Sequence, residues 1–110
     1  MAKRGRAFLA FVAACALFPN VVSAQTSPAE QRGRTFALAN CARCHAIDKV
    51  SPSPLSIAPP FRMLHQKYPV EDLAKSLAEG IVTGHPTMPE FRLDADQVGD
   101  FIAFLKSLAP

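Results

Sequence analysis

The sequence predicts an all-α domain of about three to five helices, and three observations predict it. Two stretches carry reciprocal helix-start signals, Ser27-Pro28-Ala29-Glu30 and Asp94-Ala95-Asp96-Gln97. In each, a short polar residue can accept a bond from the first turn, and a Glu or Gln three positions on can return one. Apolar residues recur at helical spacing at Val70, Leu73, Leu77 and Ile81, and again at Val98, Phe101, Ile102, Leu105 and Leu108. No alternating run of β-branched residues is long enough for a sheet, and there is no internal repeat or low-complexity segment.

Residues 1–24 read as an export signal rather than as part of that domain. Lys3, Arg4 and Arg6 form a basic end, Ala7 to Phe18 an apolar run, and Val22-Ser23-Ala24 places small residues before a cut at Gln25. The apolar run is too short to span a hydrocarbon core of about 30 Å as a helix, so no stable membrane insertion is expected. Val12-Ala13-Ala14-Cys15 offers a competing reading, a lipoprotein signal with Cys15 acylated, but the apolar run continues past Cys15 to an ordinary cleavage site. Both readings place the domain, residues 25–110, outside the cytoplasm.

Removing the signal changes the electrostatics. The full chain has a formal charge of +3, from twelve Lys and Arg against nine Asp and Glu. The signal holds three of the twelve bases and none of the acids, which leaves nine against nine and a neutral domain. The basic character that would suggest a nucleic-acid partner belongs to the signal, so none is expected. An 86-residue domain buries only about 60–65% of its unfolded surface and commonly needs a staple. Cys41 and Cys44 are its only cysteines, and a bridge closing so short a loop would constrain little of the unfolded chain. A cofactor is the better staple.

Taken in order, Ser27 caps a first helix with Pro28 at its opening position, and this helix runs toward Asn40 and delivers Cys41 at its end. The stretch VSPSPLSIAPP has four prolines in eleven residues and can be neither helix nor central strand. It is a stiff loop. Phe61 to Tyr68 allows a short helix, and PVEDLAKSLAEGIVTG a longer one stopped by Gly84. The Pro-flanked HPTMPEF follows, and then the helix opened by Asp94.

The chemistry is concentrated in Cys41-Ala42-Arg43-Cys44-His45. C-x-x-C-H is the attachment pattern of c-type haem. Two thiols three residues apart suit thioether bonds to the two vinyl groups on one porphyrin edge, and the adjacent imidazole can reach the iron. Three rival readings fit less well, the plainest being two structural cysteines beside a chance histidine. A structural zinc site needs two further ligands, and the remaining histidines, His65 and His85, lie twenty residues apart. A thioredoxin-like redox pair needs a preceding strand, where this sequence places a capped helix. A large apolar ring also answers the size problem, and Phe36, Phe61, Phe91, Phe101 and Phe104 are available to line its pocket, although each also suits ordinary core packing.

Function turns on the other axial ligand. Met63, Met88, His65 and His85 are the candidates. Met63 and His65 fall within a short helical stretch, where a Met is commonly a gap filler. Met88, 43 residues after His45, lies between Pro86 and Pro89, whose fixed φ angles can aim a thioether and hold it. A thioether on the sixth position raises the potential and leaves no site for oxygen or substrate, which argues for electron transfer and against catalysis. An open position would instead suggest a haem enzyme or gas sensor. A carbonyl from Pro59 or Pro60 is expected to take the second ring nitrogen of His45.

These residues resemble the small class I cytochromes c of bacterial periplasms over nearly all of the mature chain. Gly33 with Phe36, followed by Cys41 to His45, resembles the family's first helix and haem site. Ala58-Pro59-Pro60-Phe61 resembles its Gly-Pro-x-Leu stretch, Thr87-Met88-Pro89-Glu90-Phe91 its methionine-ligand loop, and Asp94 to Leu108 its C-terminal helix, which crosses the first. Two positions depart from the pattern. The aromatic stands three rather than four residues after Gly33, with Ala37 in the usual place, and Ala58 replaces a glycine. The resemblance implies a cytochrome c fold around one covalent haem c with its iron. It makes Pro59 the carbonyl partner of His45, Phe61 a haem-packing residue, and His45 and Met88 the axial ligands. It also implies a periplasmic electron carrier, not an enzyme, docking transiently on dehydrogenases, oxidases or membrane cytochrome complexes, or else a subunit of one such complex.

Overall fold

Both reciprocal caps form. The computed structural model describes residues 17–81 and 87–110. Helix α1, Pro28–Asn40, opens with Ser27 Oγ accepting from the Glu30 amide at 3.2 Å and the Glu30 carboxylate accepting from the Ser27 amide at 3.2 Å. The C-terminal helix, Ala95–Leu108, opens in the same way with Asp94 and Gln97 at 2.9 and 3.2 Å. Residues 17–27, which include the end of the export segment, carry no regular structure, and Leu17, Phe18, Val21 and Val22 are exposed. Cys15 and the basic end of that segment lie outside the described residues.

Between these helices stand a 3₁₀ helix, Phe61–Gln66, then a 3₁₀ turn, Val70–Asp72, that runs directly into α2, Leu73–Glu79. The C-terminal helix is therefore α3. No strand occurs among the described residues. The apolar spacing at Val70, Leu73, Leu77 and Ile81 does face the core, with Val70 and Leu77 buried and Leu73 and Ile81 packed against the buried cluster.

The expected stop at Gly84 lies outside the described residues, and α2 ends five residues before it, at Glu79. Gly80 takes φ +112°, a conformation L side chains rarely adopt, and its amide closes the last turn on the Ser76 carbonyl. Beyond it, the Ile81 amide donates to the Phe91 carbonyl at 3.4 Å, and the Leu93 amide donates to the Leu77 carbonyl at 2.8 Å. The returning segment takes the hydrogen bonds that a longer helix would have used.

α1 and α3 cross at Gly33. A Cβ built there would run into the Asp100 carbonyl and lie 2.7 Å from Phe104 Cβ, so only glycine lets the backbones meet. Ala37, one turn on, is fully buried, which accounts for a small residue where the family pattern has an aromatic. Arg32 holds the flank of the crossing with a two-point pairing to the Asp100 carboxylate at 2.7 and 2.8 Å. The core gathers α3's Phe101, Phe104, Leu105 and Leu108 against Ala37, Phe61, Leu64, Val70 and Leu77.

Candidate functional site

α1 does not simply stop at the motif but tightens into it. The Cys41 and Ala42 amides both donate to the Ala37 carbonyl, at 2.8 and 3.0 Å, and the Cys44 and His45 amides both donate to the Cys41 carbonyl, at 3.1 and 2.9 Å. One further turn thus carries both thiols and the imidazole. The two cysteines are half-buried and not joined in a disulfide. Burial pushes the Cys41 thiol up to about 11, so it stays protonated at neutral pH.

His45 is oriented by the chain that returns over it. Its Nδ1 lies 2.8 Å from the Pro59 carbonyl oxygen. A carbonyl can only accept, so Nδ1 carries the proton and Nε2 of the neutral ring keeps its lone pair for a metal. Pro59 rather than Pro60 supplies this oxygen, and the Pro60 carbonyl instead accepts from the Met63 amide at 2.9 Å, opening the 3₁₀ helix. Phe61, buried on that helix, lays its ring 4.9 Å from the imidazole, tilted by 35°.

The proline-rich loop is bound to the motif along its length. The Leu55 amide donates to the Cys44 carbonyl at 3.1 Å, the Phe61 amide to the Ala46 carbonyl at 3.0 Å, and the Ala46 amide to Ser53 Oγ at 3.0 Å. Asp48 accepts from the Val50 and Ser51 amides at 2.8 and 2.6 Å, and Arg62 reaches the Ser51 carbonyl at 2.7 Å. Hydrogen bonds from Ser51, side chain first and then amide, and from the Val50 amide hold the Asp48 carboxyl down at about 2. Ser53, Asp48 and Arg62 were not singled out by the sequence reading. Asp48 with the amides two and three residues on is an Asx turn, a signal the sequence does carry.

From the imidazole a row of aromatic rings crosses the core. Phe61 meets Phe101 at 5.8 Å, Phe101 meets Phe36 at 5.5 Å, and Phe36 meets Phe91 at 5.9 Å, all edge to face. Phe104 instead packs at the Gly33 crossing. The row ends three residues past Met88, which is half-buried in the segment leading to Phe91. The structure thus brings together His45, Pro59 and Phe61, with Cys41 and Cys44 on the turn that carries the imidazole, while Met88 comes from a separate segment. Of the other axial candidates, Met63 is 38% exposed and so does not fill a gap in the core. His65 has a buried Nδ1 without a partner among the described residues, and His85 lies outside them.

Two unpaired thiols, and an imidazole with one nitrogen engaged and the other open, form the donor set that a covalent haem takes. The Cytochrome c family model matches residues 30–109, from the first turn of α1 to the end of α3. The chain is a member of the cytochrome c family. It is accordingly a haem-binding electron-transfer protein with the all-α cytochrome c fold. No curated protein and no solved structure matches this cytochrome. No helix among its described residues is long and apolar enough to cross a membrane.

Proposed function

We propose that this cytochrome is a periplasmic one-electron carrier with a single haem, held by thioethers from Cys41 and Cys44 and ligated by His45 and Met88. The observation that carries the reading is the 2.8 Å contact from His45 Nδ1 to the Pro59 carbonyl, which fixes the tautomer and leaves Nε2 as a ligand. The haem supplies an iron that alternates between Fe(II) and Fe(III). Cys41 and Cys44 would hold it to the end of α1, Phe61 packs against the His45 ring, and Met88, followed by Pro89, would serve as the second ligand and keep oxygen and substrates from the iron. With the iron closed in this way, the protein is a carrier and not an enzyme. Residues 1–24 direct export and are removed before Gln25. Dehydrogenases, oxidases or membrane cytochrome complexes are its partners, met in small interfaces below about 1,200 Å².

The test is an absorption spectrum of the exported protein, oxidised and reduced, with and without carbon monoxide. A near-infrared sulfur-to-iron band, and no response of the reduced form to carbon monoxide, is the expected result. Met88→Ala should abolish the band, admit carbon monoxide and lower the potential, while Met63→Ala leaves all three unchanged. Loss of the band in the Met63 variant would overturn the ligand assignment. Carbon monoxide binding by the native protein would point instead to a sensor or enzyme.

A further inference from the structure

Cleavage before Gln25 leaves that glutamine as the first residue of the exported protein. A glutamine in that place has its side-chain amide within reach of its own α-amine. The fold shows what surrounds this end. The chain is tied to α1 as far as Thr26, whose carbonyl accepts from Gln31 Nε2 at 3.3 Å, and the Ser27 amide donates to the Glu30 carboxylate at 3.2 Å. Gln25 is exposed just beyond these ties and lines a cavity of about 420 Å³. The apolar part of the cavity wall is Ile47, which packs against the core, with Phe104 and Leu108 of α3.

A free ammonium is poorly served there. It would stand just ahead of the Ser27 cap, at the positive end of α1, with Arg34 and Lys49 also on the cavity wall. The wall carries two carboxylates, but both are engaged. Glu30 accepts from the Ser27 amide, and Asp48 accepts from the Val50 and Ser51 amides. A terminus without charge removes the repulsion and leaves both of these turns intact.

We infer that Gln25, once freed by the cut, closes to pyroglutamate, and that the neutral lactam ring lies over Ile47, Phe104 and Leu108. The inference rests on the proposed cleavage before Gln25 and adds a modification to it. The α-amino nitrogen attacks the side-chain amide carbon, so that the N–Cδ bond forms and the Cδ–Nε2 bond breaks. The displaced nitrogen takes up the proton lost by the amine and leaves as ammonia, and no oxidant, reductant or further reactant is consumed. An α-amine titrates at about 8, so at neutral pH part of it is the unprotonated nucleophile that this step needs. The closed ring also denies aminopeptidases a free terminus.

The test uses the exported holoprotein as purified. Its free amines are dimethylated before digestion, which stops any ring from forming afterwards, and the N-terminal peptide is read by mass spectrometry. The expected peptide begins at Gln25, is lighter than its free form by one ammonia and carries no label on its terminus. A labelled Gln25 amine would overturn the cyclisation and leave the cleavage standing, whereas a peptide beginning at another residue would overturn both. Gln25→Asn, whose side chain is too short to close this ring, should be labelled fully. An unlabelled terminus in that variant would reveal a different blocking group and overturn the assignment. In the reduced holoprotein, nuclear Overhauser contacts should join the lactam ring to the methyl groups of Ile47 and Leu108, and a ring without them would overturn its seat. The mass readout does not depend on the haem, so failure of the carrier function would leave the modification standing.

Discussion

The α1–α3 crossing and the side of the molecule that holds the attachment turn are built in different ways. At the crossing, both helices begin with reciprocal caps, a glycine lets the backbones touch, and a two-point Arg32–Asp100 pair closes the flank. At the attachment turn, the proline-rich loop is held by single hydrogen bonds, the Leu55 and Phe61 amides donating to the Cys44 and Ala46 carbonyls and Ser53 Oγ accepting from the Ala46 amide. The first region specifies itself from local signals and apolar packing. The second takes its shape from what it is folded against, and Phe61 joins the two by touching both His45 and Phe101.

That joint is where the largest effect is expected. Phe61→Ala removes a buried ring and should cost about 4 kcal/mol in urea unfolding, and it should also disturb the absorption bands that report His45. A stability loss with unchanged bands would show that the two regions are independent. Gly33→Ala should cost about 3 kcal/mol by forcing the crossing apart, with the haem spectrum unaltered in whatever fraction folds. A Gly33→Ala protein of native stability would show that the contact is softer than it looks. Ser27→Ala and Asp94→Ala should each cost about 1 kcal/mol and add, because the two caps share no partner.

The smallest effect belongs to the loop. The Asp48 carboxyl titrates at about 2 in the fold, below its ordinary value. Its contribution is therefore present above about pH 4 and is lost as pH falls toward 2. Asp48→Asn should flatten the dependence of the unfolding midpoint on pH across that window and lower the midpoint slightly at about pH 7, where the native carboxylate contributes. An unaltered slope would mean that the loop carboxylate is inert.

The same division explains what the sequence made legible. α1 and α3 could be read because a capping box is a contact between residues three apart, visible without knowledge of the fold. The C-x-x-C-H turn could be read for the same reason. The end of α2 could not, since Gly80 and Gly84 are both chemically able to stop a helix. The choice is made by Phe91 and Leu93, which bond to Ile81 and Leu77 across the chain. Residue chemistry alone left Pro59 and Pro60 equivalent, the family resemblance pointed to Pro59, and the fold places the Pro59 carbonyl on His45. Phe104 could not be assigned to the crossing rather than to the row of rings, because apolar periodicity gives a helix face but not what that face meets.

The two backbone bonds that join Ile81 to Phe91 and Leu93 to Leu77 have a kinetic consequence. They differ in quality, 3.4 Å for Ile81 to Phe91 and 2.8 Å for Leu93 to Leu77, with the weaker one on the Met88 side. Bonds of unequal strength open in order, and both can open while the crossing of α1 and α3 stays shut. In native-state hydrogen exchange the Ile81 amide should lose its protection well before that of Leu93, and Leu93 well before the amides in the middle of α3. Loss of the outer bond would then be a reversible local opening, completed without unfolding the protein.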